Sequence, residues 1–271
     1  MDLDRAVAEA IAPLEPGYGG LLARLASALE RDERVRALWL AGSVGRGVAD
    51  AGSDLDVVAT VTSVQDFVDP TSWSVLDPLI TTAIPGMPGC FAFTTRDALR
   101  VDVVLETPAD LAETSYRSRI RVFDHDGLAL PAATNAEPGP DPDRMQAIVV
   151  EMLRQAAIFP AAVVAREDWL LGQQAVHNYG VMLYQLFVES NAPLPPMGVK
   201  QWSSRLTEEQ RRILTELVPP RARRDDVIVA MRAMRTTICT HGRAVLEASG
   251  GVWPAVADEA MHAYWRRHGI A

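Results

Sequence analysis

The residues with chemical potential cluster between Leu40 and Val58, LAGSVGRGVADAGSDLDVV, with one later partner in LRVDVVLE at 99–106. Asp54 and Asp56 are two apart, so on a strand both carboxylates face one side while Leu55 and Val57 face the other. Crowded carboxylates repel unless a cation lies between them, and hard oxygen ligands of this kind suit Mg²⁺. Asp102 interrupts an apolar strand, where a lone acid is expensive to bury. If its strand lies beside Asp54-Leu55-Asp56, three acids converge. They could then hold two metal ions about 4 Å apart and clamp the attacking and leaving oxygens of a displacement at phosphorus. Ahead of the acids, Gly42-Ser43 ends a hydrophobic strand and Gly45-Arg46-Gly47 turns the chain. Glycines let amides approach a phosphate, Ser43 adds a hydroxyl and Arg46 a charged fork. Asp54, Asp56 and Asp102 are therefore the expected metal ligands, and Gly42, Ser43 and Arg46 the expected phosphate contacts.

A strand-ending Gly-Ser, a D-x-D pair eleven residues after the serine, and a later strand aspartate resemble the nucleotidyltransferases of the DNA polymerase beta superfamily. The two-part layout described below is most similar to the antibiotic nucleotidyltransferases, which include enzymes that adenylylate aminoglycosides and lincosamides. The likeness is strong over 35–106 and loose over 141–271. It implies that Ser43 and its neighbouring amides hold a triphosphate, that Asp54 and Asp56 bind Mg²⁺, and that Asp102 completes the metal site. Several relatives carry glutamate at the third carboxylate or as base. Glu106, four residues along the same strand, is thus a reserve base, although a solvated strand end is the plainer expectation for it.

These residues need a scaffold. Short β-branched or aromatic runs at VRALWLAG, LDVVATVT, CFAFT and LRVDVVLE follow helical segments at about 2–12 and 19–31, predicting a compact mixed sheet with about four strands. The run PAATNAEPGPDP from Pro131 to Pro142 supports neither a helix nor a central strand. Beyond it, apolar residues recur at helical spacing through MQAIVVEMLRQAAIF, EDWLLGQQAVHNYGVMLYQLFVES, TEEQRRILTELV, DDVIVAMRAMRTTICTHGRAVLEA and DEAMHAYWRRH. The expected class is α+β: a small mixed-sheet nucleotidyltransferase domain over 1–134, then an α-helical bundle over 135–271 that binds substrate. Asp141-Pro142 and Thr207 read as helix starts.

In the helical half, acids at the head of the helix after Arg166 suit the positive end of its dipole. The resemblance adds a second role, with Glu167, Asp168 and Trp169 contacting a cationic acceptor. Lys200 is the only lysine of the chain. By the same resemblance it reaches the triphosphate; otherwise it is an exposed loop lysine.

With 271 residues, 48% of them hydrophobic, the chain can bury a full core. Cys90 and Cys239 are too few for a disulfide framework, the N-terminal stretch lacks the basic start and apolar run of a leader, and no uninterrupted apolar run approaches about 18 residues. A cytoplasmic protein with no membrane partner is expected. Residues 1–135 hold 20 acids and 11 bases, the remainder 15 of each. That balance disfavours a nucleic-acid partner, which needs a basic surface, and suits a small cationic acceptor. The leading expectation is transfer of AMP from ATP to a hydroxyl of such an acceptor, an aminoglycoside in the antibiotic-resistance reading, with release of pyrophosphate. A protein or nucleic-acid acceptor is the alternative, as is a non-catalytic nucleotide-binding regulator of the same fold.

Overall fold

The computed structural model describes residues 3–111, 118–130, 139–194 and 200–270. The fold is α+β, in two compact units: Met1–Asn135 with Pro196–Lys200, and Ala136–Pro195 with Gln201–Ala271. Most of the proline-rich run, 131–138, lies outside the described residues.

In the first unit, α1 (Arg5–Ile11) and α2 (Tyr18–Glu30) precede a six-stranded sheet of β1 (Val35–Leu40), β2 (Leu55–Val61), β3 (Pro78–Ala83), β4 (Cys90–Thr95), β5 (Arg100–Glu106) and β6 (Ile120–Asp124). One-turn helices α3 (Gly42–Gly45) and α4 (Pro108–Leu111) follow β1 and β5. The strand order is β3-β4-β5-β2-β1-β6; among the described residues only β2 and β5 run parallel, so the sheet is mixed. Two strands beyond the expected four are present. β3 is mostly exposed and β6 short and partly buried, so neither shows the apolar run that identifies an inner strand.

The period-2 alternation of β2 and β5 divides their residues between the two sheet faces. Leu55, Val57, Ala59 and Val61 join Val101, Val103 and Leu105 in a core that also contains Leu21, Leu22, Leu25 and Leu29 of α2. The opposite face carries Asp56, Val58 and Thr60 beside Asp102, Val104 and Glu106, in register Asp56↔Asp102, Val58↔Val104, Thr60↔Glu106. A smaller cluster of Ala37, Trp39, Ala41 and Val58 packs there with Val104, Leu128 and Leu130. One face is thus given to stability, and the other carries the acids.

The second unit contains α5 (Pro142–Phe159), α6 (Trp169–Ser190), α7 (Glu208–Glu216), α8 (Arg224–Thr237), α9 (Arg243–Ala248) and α10 (Ala255–Arg267). Asp141 caps α5 by accepting from the amides of Asp143 and Arg144, with Pro142 just inside the helix. Thr207 closes a full capping box with Gln210, a stronger start than its sequence suggested. The stretch expected to be helical at 225–248 is so, with a π-turn at Ile238–Gly242 between α8 and α9. Gly172 lets α6 approach its neighbours, since a Cβ there would stand 2.7 Å from Val227 Cγ1 and 2.9 Å from Val163 Cγ1. Pro142–Val164 has the length and mean hydropathy, 1.7, of a membrane span. Its stripe of Met145, Val149, Met152, Ala156 and Phe159 is nevertheless buried in this unit's core.

Candidate active site

The sequence folds locally to expose a strand end. β1 runs in apolar residues to Leu40, and Gly42 then takes φ +56, a left-handed conformation that favours glycine. Gly42 is also required by space: a Cβ would lie 1.7 Å from Asp56 Oδ2, so the Asp56 carboxylate occupies the volume that a side chain would fill. The Ala41 amide donates to the Asp56 carbonyl at 2.9 Å, which ties this turn to the start of β2. Ser43 is buried, and its Oγ has no hydrogen-bond partner among the described residues. An orphaned buried hydroxyl costs about 1–3 kcal/mol, a cost that an oxygen-rich ligand would remove. Arg46 stands exposed and adds positive potential at Asp56.

The loop before β2 is ordered by Asp50, which accepts from the Gly52 amide at 2.9 Å and from Ser53 Oγ at 3.1 Å. Arg100, at the head of β5, donates to the Gly52 carbonyl at 2.9 Å, and its own amide donates to Tyr18 Oη of α2 at 3.1 Å. The arginine thereby fixes the loop that delivers Asp54. Its Nη1 lies 4.0 Å from Asp54 Oδ2. Arg100 was not among the expected site residues. The signal was present in the charged alternation Arg100, Asp102, Glu106 within an apolar strand.

Asp54 precedes β2 directly, Asp56 lies within it, and Asp102 is its register partner on β5, so parallel pairing brings the three acids to one end of one sheet face. Burial, then the charges of Asp54 and Asp102, push the Asp56 carboxyl up to about 6. Burial and Asp54 raise Asp102 as well, while Lys200 and Arg100 oppose the rise. The Lys200 ammonium donates directly to Asp54 Oδ2. Among the described residues, no three carboxylate, imidazole or thiol groups stand ready-made around one cation position. The donor set nevertheless fits a hard divalent ion: two carboxyls, Asp56 and Asp102, raised by burial and neighbouring acids, a lysine cation already drawn to Asp54, and a serine hydroxyl without a partner among the described residues at the adjoining turn.

Glu106 differs from the expected solvated strand end. It is buried and bidentate with Arg119, at 2.6 and 2.9 Å, and accepts from Thr60 Oγ1 at 3.4 Å, which in turn accepts from Trp39 Nε1 at 3.1 Å. Its oxygens are committed to the fold, which removes it as a reserve base.

In the second unit, Asp168 caps α6 by accepting from the Leu171 amide at 3.0 Å. Glu167 is exposed at φ +54, and Trp169 is half-buried against the core. None of the three lines the cleft of about 1060 Å³ beside α6, whose walls include Gln173, His177, Tyr184 and Trp202. Tyr184 and Trp202 stack there with ring centroids 4.1 Å apart.

The sequence matches no protein-family model and no curated protein. Among solved structures, the chain is similar to an aminoglycoside 6-adenyltransferase from Bacillus subtilis, at 13% identity and TM-score 0.44, covering 92% of this chain and 98% of that one. It is also similar to the Thermotoga maritima CCA-adding enzyme complexed with tRNA, at 12% identity and TM-score 0.37 over 97% and 70% of the two chains. A CCA-adding enzyme in complex with CTP matches at 9% identity and TM-score 0.37, over 97% and 72%.

Proposed function

We propose that the protein is a magnesium-dependent nucleotidyltransferase that transfers AMP from ATP to a hydroxyl of a small cationic acceptor, of the aminoglycoside class, and releases pyrophosphate. The observation that carries the reading is the pairing of Asp56 with Asp102 on neighbouring strands, beside Asp54 and the Gly42-Ser43 turn. Fold stability gives no reason to gather three acids on one sheet face and raise two of them.

Asp54, Asp56 and Asp102 would hold the metal. When bound, Mg²⁺ would supply positive charge that offsets the phosphate oxygens and would ease loss of the acceptor hydroxyl's proton. Ser43 Oγ donates to a triphosphate oxygen, the Gly42 turn lets the phosphates approach, and Arg46 and Lys200 offset their charge. The acceptor oxygen forms a bond to the α-phosphorus as the bond to the pyrophosphate oxygen breaks. The acceptor's proton passes to the Asp102 carboxylate. We assign catalysis to the first unit and acceptor binding to the second. There Glu167, Asp168 and Trp169 at the head of α6, and the Tyr184–Trp202 cleft farther along it, offer acidic and aromatic surfaces. The first 135 residues carry the entire net charge of −9, which favours a cationic acceptor.

Incubation with Mg²⁺, each of the four NTPs and a panel of aminoglycosides, lincosamides and tRNA, read by pyrophosphate release and product mass, tests reaction and acceptor together. The expected result is an AMP adduct on an aminoglycoside. An adduct only on tRNA would overturn the acceptor, and full activity in an Asp54→Asn, Asp56→Asn double variant would overturn the site.

A further inference from the structure

We propose that Lys200 is a built-in competitor of the divalent ion at Asp54, so that metal and nucleotide enter the site cooperatively. The inference rests on the nucleotidyltransferase reading and adds an order to its binding steps.

Two observations support it. Lys200 Nζ donates to Asp54 Oδ2, an oxygen of the proposed metal set. The Asp54 side chain is 12% exposed, which leaves little room for a second cation on the same carboxylate, whereas Lys200 is 59% exposed and can swing into solvent without breaking a core.

An ammonium and a divalent ion a few ångströms apart repel each other, so a metal that takes Asp54 must expel Lys200. Partly exposed ion pairs are weak, so expulsion is feasible but lowers the affinity for metal alone. A triphosphate offers the released ammonium a new anionic partner. Metal and nucleotide then each remove an obstacle to the other, which is a reciprocal coupling between two ligands of one site. In the absence of nucleotide, the lysine keeps a bare metal ion from occupying the carboxylates.

Two measurements on the full chain test this, and neither depends on turnover. Calorimetric titration with Mg²⁺ alone is expected to show roughly tenfold tighter binding in Lys200→Met than in the parent, with the enhancement of Mg²⁺ affinity by ATP correspondingly reduced. Because Lys200 is the sole lysine, its acylation by an amine reagent, followed by peptide mass, reports one side chain. The rate is expected to rise with Mg²⁺ and fall again when ATP is added. Equal Mg²⁺ affinity in the two proteins, with a Mg²⁺-independent labelling rate, would overturn the competition and leave the metal site standing. Failure of Mg²⁺ to bind either protein, with or without ATP, would overturn both.

Discussion

Two rungs of the same ladder, four residues apart, treat a carboxylate in opposite ways. At the lower rung Asp56 faces Asp102, with no arginine among the described residues hydrogen-bonded to either and both carboxyls raised. At the upper rung Glu106 faces Thr60 and is held by both arms of Arg119 in a network reaching Trp39. The strands, face and residue chemistry are alike; the difference is the counter-charge. A carboxylate whose counter-charge is supplied by the fold serves the fold. One left to seek a cation keeps its oxygens for a ligand, at a cost in stability.

The contrast is broken most directly at its lower rung. Asp102→Asn is expected to cut nucleotidyl transfer by roughly 10³-fold, while raising the thermal midpoint in metal-free buffer because a repelling charge is gone. Loss of activity accompanied by loss of stability would place Asp102 with Glu106 instead. Next in size is Gly42→Ala. Its new Cβ would displace the Asp56 carboxylate, and a misplacement of about an ångström costs on the order of 10²-fold in turnover; unchanged kcat would show that Asp56 does not act from its observed position.

Glu106→Gln sharpens the comparison from the other side. Arg119, 0% exposed in its side chain, would lose its bidentate partner. Chemical denaturation should show a loss of about 3 kcal/mol, while the protein that remains folded keeps its turnover. The most gradual effect is the pH response of the lower rung. The folded value for Asp56, about 6, exceeds its ordinary 3.8, so the folded protein retains a proton that the unfolded chain has released. The stability contributed by this group is complete below about pH 4 and is lost as pH rises through 6, up to about 3 kcal/mol in all. Denaturation midpoints across that window, with and without Mg²⁺, should diverge as pH rises; parallel curves would mean that no cation meets Asp56.

Much of this was legible in the sequence. The acids announce themselves because β2 and β5 are otherwise apolar, and period-2 geometry then fixes which residues share their face. The α+β class follows from the change of hydrophobic period after the proline-rich run. Pairing partners are not local information, so nothing in LRVDVVLE alone distinguishes Asp102 from Glu106. The distinction depends on Arg119, thirteen residues beyond Glu106, and on Thr60 across the ladder. β3 was missed because its exposed residues lack a buried stripe, and the role of Arg100 depends on a loop carbonyl at Gly52, which no motif records. At the head of α6, Asp168 stands where the dipole favours an acid and also caps the helix, a role set by short-range geometry.

The parallel register of β2 and β5 also determines which kinds of sequence change the protein can survive. Side chains alternate faces, so removing or adding one residue within Leu55–Val61 or Arg100–Glu106 would turn every acid on that strand into the core and every core valine towards the ligand side. Exchanges at Val58 or Val104 leave that geometry intact. Among descendants of this chain, the lengths of these two seven-residue segments should therefore be more strictly preserved than most of the residues in them.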